Sequence, residues 1–141
     1  MSALRRRASR GQALVEFSLT VMIFLVLLMG IFDFGRAIFM YNGVAQAARE
    51  IARVTSVYPG ATLGGSAQTA AVVSTQKNLI PNLGNPTYKC VAIDNTNVAG
   101  DCKPQDDAVK VTISAVYTPV TPILSFLGDI TLSSSSSAKL Q

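Results

Sequence analysis

The chain has 141 residues and a formal charge of +4, with no histidine and no tryptophan. Four of its twelve lysines and arginines lie in the first ten residues, which leaves eight basic against eight acidic side chains beyond Gly11. The basic balance therefore belongs to one terminus and does not point to nucleic acid, while the missing histidine removes the commonest general base and zinc ligand together.

Residues 1–11 form a short basic leader carrying Arg5, Arg6, Arg7 and Arg10. Directly behind them runs Phe17 to Phe32 (FSLTVMIFLVLLMGIF), which has no charge. A basic stub ahead of an apolar stretch holds an N-terminus in the cytoplasm, so the four arginines read as topogenic. With Ala13 to Val15 included, the segment approaches the ~20 residues that cross ~30 Å of hydrocarbon. Glu16 interrupts the seam, and a carboxylate in lipid costs roughly 2.5–3.5 kcal/mol at the centre and less toward the interface, so it needs a purpose. Asp33 and Arg36, three apart and hence helical neighbours, mark the exit from the membrane. The expected membrane helix is 12–36.

Helical signal continues through 37–58 as an amphipathic extension. Ile38, Tyr41, Ala45, Ala48 and Ala52 recur at three- and four-residue intervals as a small-residue stripe, to be packed against a sheet or sister subunits. Nothing ends the helix before Tyr58-Pro59-Gly60, which predicts one rod of about 68 Å at ~1.5 Å per residue, starting at Gln12. Residues 59–66 (PGATLGGS) read as a flexible linker. Ala67 to Leu79 is a second helix with Ser66 as N-cap, stopped by Pro81 and Gly84.

The period then changes to two. Thr87 to Asp94 and Ala108 to Val116 alternate and are rich in β-branched residues, so both are expected as strands, with Val109, Val111 and Ile113 on one face. Pro119 and Pro122 exclude a central strand between them, and Ile123, Leu124, Phe126 and Leu127 need a surface to cover. Ile130 to Leu140 contains five consecutive serines; it reads as an edge strand in preference to a tail. Residues 67–141 thus form a small outer α+β domain.

Removing the anchor leaves fewer than about 90 residues outside the membrane, a marginal core that often needs a staple. Cys90 and Cys102 supply one if this part faces an oxidising compartment; two reduced thiols are the alternative in a cytosolic domain. Closing the turn-rich loop Val91 to Asp101 contributes roughly 3 kcal/mol through the unfolded chain. Without histidine the two cysteines do not complete a zinc site, Asp106-Asp107 lacks a surrounding calcium ladder, and no nucleophile–base pair is present. No metal, cofactor, small-molecule substrate or enzymatic activity is expected.

The residues that carry a family likeness are Arg10-Gly11-Gln12-Ala13-Leu14-Val15-Glu16-Phe17, Gly30-Ile31-Phe32-Asp33-Phe34-Gly35-Arg36-Ala37, Ala47-Ala48-Arg49-Glu50-Ile51-Ala52-Arg53 and Val116-Tyr117-Thr118-Pro119-Val120-Thr121-Pro122. On these the chain resembles the TadE-like minor pilins, or pseudopilins, of the tight-adherence (Tad/Flp) pilus system. The resemblance implies cleavage between Gly11 and Gln12 by a prepilin peptidase, with Phe17 flanking the motif and Glu16 five residues into the mature chain. It implies sister pilins and the Tad inner-membrane assembly proteins as further partners beside the bilayer, and a place in the bacterial cytoplasmic membrane with the C-terminal domain outside. The expected function is assembly or export of an adhesive pilus of the kind that builds biofilms. The alternative is an uncleaved single-pass scaffold whose outer domain binds a secretion-machine partner.

Physically, cleavage at Gly11 strips the arginines and leaves an α-amino group at Gln12 one helical turn before the Glu16 carboxylate. Each is costly when buried unpaired, and a pair formed between neighbouring subunits would set axial register.

Overall fold

A computed structural model describes residues 2–92, 102, 107–121, 126 and 128–141, with side chains from Gly11 onward. Asp94, Asp106, Pro122, Ile123, Leu124 and Leu127, and the side chains of Arg5, Arg6, Arg7 and Arg10, lie outside the described residues. The order is α1 (Ser2–Val57), α2 (Ala67–Leu79), β1 (Thr87–Ala92), β2 (Asp107–Tyr117) and β3 (Ile130–Lys139). The three strands form one antiparallel sheet in the order β1-β2-β3. This is the α+β arrangement expected: a long N-terminal helix, a short second helix and a small antiparallel sheet.

Helix α1 begins at Ser2, ten residues before the expected start at Gln12. The leader contains alanine, leucine and arginine, all good helix formers, and Gly11 alone weakens the run, by about 1 kcal/mol relative to alanine. The rod then continues unbroken to Val57, where Tyr58-Pro59-Gly60 stops it.

The upper half of α1 lies across β2 and β3. The buried side chains are Val44, Ala47, Ala48, Ile51 and Ala52, followed by Thr55. The expected stripe holds at Ala48 and Ala52 and is corrected elsewhere: Ile38 and Tyr41 face outward, and the inward face is turned by about 70° toward Val44 and Ile51. The sheet presents Val109, Val111, Ile113, Ala115 and Tyr117 on its inner face, so the larger apolar residues of α1 are drawn under it. Each such side chain removed from water contributes roughly 1.5–3 kcal/mol.

The serine run is a strand. Ser133 to Ser137 pair with Ser114 to Lys110 in register, and the partly buried positions of β3 alternate through Leu132, Ser134, Ser136 and Ala138. The terminus is pinned: Leu140 N–H donates to the Asp107 carbonyl (3.0 Å), and Gln141 N–H donates to the Ser56 carbonyl (3.2 Å). Short inward side chains on β3 allow a helix with a small-residue face to lie close to the strand.

Helix α2 starts where Ser66 caps it, its hydroxyl accepting from Thr69 N–H at 3.1 Å. It ends because Ile80, preceding Pro81, is held in an extended conformation. The connection 59–66, expected as a flexible linker, is a tight turn that seats the Tyr88 ring: Gly64 has φ +81°, and a Cβ there would come within 2.3 Å of Tyr88. Cys90 of β1 is joined to Cys102 by a disulfide.

Candidate functional site

Two regions of α1 carry the chemistry singled out above. The first is its N-terminal part. Gly11 and Gln12 lie within the continuous helix, exposed, with nothing around Gly11 where a side chain would project. The Glu16 carboxylate accepts a hydrogen bond from the Gln12 side-chain amide at 3.3 Å, one turn away, and has no cationic partner within ion-pair distance among the described residues. Its backbone carbonyl accepts a second bond, from the Thr20 hydroxyl at 2.8 Å. From Phe17 to Phe32 the large apolar side chains are exposed apart from Val21, which is half-buried, and Ile31 and Phe32 border α2. The most apolar window of this helix is entirely unburied, and α1 is long and apolar enough to cross a membrane.

The second region is a junction at Asp33. This aspartate is 3 % exposed, on the same face as Val44 and Ile51, and its carboxylate is held by the first residues beyond β2. One oxygen accepts from the Thr121 hydroxyl (2.5 Å) and the Thr121 N–H (3.0 Å); the other accepts from Val120 N–H (3.3 Å) and the Tyr117 hydroxyl (3.2 Å). The Tyr117 hydroxyl lies still closer to the Asp33 carbonyl, at 2.9 Å. Arg36 reaches the carboxylate at 3.9 Å and stacks over the Tyr117 ring, 5.8 Å from its centre. Burial, then the neighbouring Asp33 charge, raises the Tyr117 phenol above its ordinary range.

Sequence reasoning singled out Asp33 and Arg36 as the exit from the membrane, at the end of the apolar run. It did not bring Tyr117, Val120 and Thr121 to them. The signal was present in the spacing, since Asp33, Ala37, Met40, Val44, Ala47 or Ala48, Ile51 and Thr55 follow one helical face. Reading it required accepting a carboxylate as a member of the buried stripe.

Higher on α1, Glu50 and Arg53 form a bidentate pair (2.7 and 3.1 Å) that holds the Glu50 carboxyl below its usual range. The pair is exposed and screened by solvent, so it adds little to stability. An apolar groove of about 760 Å³ lies between α1 and the end of α2, lined by Phe32, Gly35, Phe39, Gly43, Leu79 and Pro81 among others. Among the described residues no group of histidine, cysteine, aspartate or glutamate side chains is placed to hold a metal.

Residues 11–53 match the model of the TadE-like protein family. Over these residues, less than half of the chain, the protein is similar to that family. The match opens on Gly11, includes Gln12, Glu16, Phe17, Asp33 and Arg36, and closes on Arg53, so it follows α1 and stops short of the sheet. No curated protein and no solved structure matches the chain. The TadE-like module suggests a protein associated with the Tad pilus, in a family that is not one of enzymes, and its apolar helix is consistent with a single-pass membrane protein.

Proposed function

We propose that this TadE-like chain is a minor pilin or pseudopilin that takes part in assembly or export of an adhesive Flp-type pilus. In this reading Arg5, Arg6, Arg7 and Arg10 keep the N-terminus in the cytoplasm, and the sheet domain stands outside the inner membrane. A prepilin peptidase cuts between Gly11 and Gln12. The α-amino group released at Gln12 then pairs with Glu16 of a neighbouring subunit, setting register as the rods pack with sister pilins and the Tad assembly proteins.

The observation that carries this reading is the exposed apolar rod with one carboxylate near its start and no cation beside it among the described residues. A carboxylate left so in lipid is costly, and the new amino group of a neighbouring subunit supplies its missing counter-charge. Within one chain the only side-chain partner that the described residues give this carboxylate is the neutral amide of Gln12.

A second reading, an uncleaved single-pass scaffold binding a secretion-machine partner, draws on one specific feature. The Gly11–Gln12 bond sits inside a hydrogen-bonded helix, which a protease must unwind to enter. Intact mass of the membrane-extracted protein separates the two. A chain beginning at Gln12, and retaining the leader in a strain lacking the peptidase, supports processing. A full leader beside working pili refutes it. Under the favoured reading Glu16→Ala also lowers recovery of the chain with sheared pili; recovery at the unsubstituted level removes the register role.

A further inference from the structure

The sheet has two faces, and α1 covers one of them. Val109, Val111, Ile113 and Ala115 of β2 turn toward the helix, so the alternate residues turn away from it. Register places Lys89, Lys110 and Ser137 side by side on the outer face, with Thr87, Thr112 and Ser135 beside one another on the next row. Lys139 lies on the same side, two residues beyond Ser137 and diagonal to Lys110.

Lys89 and Lys110 are thus direct cross-strand partners, and like charges directly opposite destabilise an antiparallel pair. Among the described residues of the three strands no acidic side chain shares this face, because Asp107, their one acid, alternates inward with Val109 and is buried. None of the three lysines has a hydrogen-bond or ion-pair partner among the described residues, whereas Lys77 donates to Asn85 at 2.6 Å. Lysine on the outer strands of a sheet wards off edge-to-edge pairing, which accounts for Lys89 on β1 and Lys139 on β3. It does not account for Lys110 on the central strand. Beyond Gly11 basic and acidic residues are equal in number, so the cluster is a local excess of positive charge.

We infer that the outer face of the sheet binds an acidic polysaccharide. The ammonium groups of Lys89, Lys110 and Lys139 pair with carboxylates of the polymer. The hydroxyls of Thr112, Ser135 and Ser137, which both donate and accept, exchange hydrogen bonds with its sugar hydroxyls. Two other polyanions fit less well. Duplex nucleic acid carries one charge per ~1.7 Å and calls for cations spread along the face, whereas these stand at one end of a lane of neutral hydroxyls. Single strands use aromatic stacking platforms, and the aromatic residues of the strands, Tyr88 and Tyr117, belong to the inner series. Lipid headgroups are remote as well. Lys110 precedes Tyr117 by about 23 Å of strand at ~3.3 Å per residue, and Tyr117 is bonded to Asp33, where the uncharged run has just ended. The inference rests on the sheet and on neither processing at Gly11 nor pilus assembly.

The test uses the full chain in micelles of an uncharged detergent, with alginate as the acidic polysaccharide, dextran as a neutral one and duplex DNA as the rival polyanion. Acetylation of each lysine, read by peptide mass spectrometry, reports the face separately from the basic leader. The expected result is several-fold slower acetylation of Lys89, Lys110 and Lys139 in alginate, with Lys77 unchanged and no effect of dextran. Alginate binding should weaken by about tenfold in Lys89→Gln/Lys110→Gln/Lys139→Gln, the sum of three exposed ion pairs, and hardly at all in Arg5→Gln/Arg6→Gln/Arg7→Gln. Lys110→Gln relieves the repulsion with Lys89, so its thermal midpoint should be no lower than that of the unsubstituted chain while binding weakens. Unchanged acetylation of the three lysines overturns the inference, as does equal protection by dextran or an equal loss of binding in the arginine variant. Stronger protection by duplex DNA assigns the face to nucleic acid and overturns it too. Protection without alginate, on moving the chain from phosphatidylcholine to phosphatidylglycerol nanodiscs, assigns it to lipid with the same consequence.

Discussion

Ile51 is the largest side chain that α1 buries completely against the sheet, at 0 % exposure, while Ile38 on the opposite side is 45 % exposed. Ile51→Ala removes three carbons from a closed site between Val109, Val111 and their neighbours, a change that costs 2–5 kcal/mol in comparable cores. Taking about 3 kcal/mol, and ~4–8 °C of midpoint per kcal/mol for a domain of 60–100 residues, the melting midpoint should fall by roughly 12–24 °C. A domain of this size has only about 5–10 kcal/mol of stability in all, so the fraction transiently open rises by about two orders of magnitude. The most apolar window of α1 is entirely unburied and keeps its helical signal, which would hide the loss. Amide hydrogen exchange read on peptides from β1 and β2, in the full chain held in detergent micelles, isolates it. Faster exchange throughout the sheet in Ile51→Ala, with Ile38→Ala unchanged, is the expected outcome. Equal effects from the two substitutions would refute the rotation of α1 described above.

Gly64→Ala forces a side chain into the Tyr88 ring at a positive φ and should destabilise the domain by more than about 1 kcal/mol, seen as a lower thermal midpoint; an unchanged midpoint removes the seating role of Gly64. Replacing Cys90 and Cys102 together by serine releases a constraint spanning a sequence separation of 12, worth about 3 kcal/mol in the chain-entropy model, and β1 should lose exchange protection before β2 does. The phenol of Tyr117 is raised, so the stability it contributes is fully present below the unfolded value near pH 10 and lost as pH climbs through the folded value. Phenolate absorbance followed with pH should lose its late-titrating component in Tyr117→Phe, and an unchanged curve contradicts the burial of that hydroxyl at Asp33.

Much of this architecture is written in local patterns. The uncharged run of α1, the Ser66 cap of α2, the stop before Pro81 and the two-residue period of β2 each follow from neighbouring residues alone, because hydrogen bonding and burial within one element depend on spacing along the chain. The TadE-like features around Gly11 and Glu16 are local in the same way. The serine run stood between tail and strand on propensity; pairing with β2 and the bonds at Leu140 and Gln141 made it a strand. Likewise, no local rule says which face of an evenly apolar helix turns inward. That choice fell to contacts between residues more than eighty positions apart, when Asp33 met Tyr117, Val120 and Thr121 and set the rotation of the whole rod. A lone carboxylate beside lipid reads as a boundary mark; only the returning strand end, with donors the carboxylate needs, turns it into the anchor of the fold.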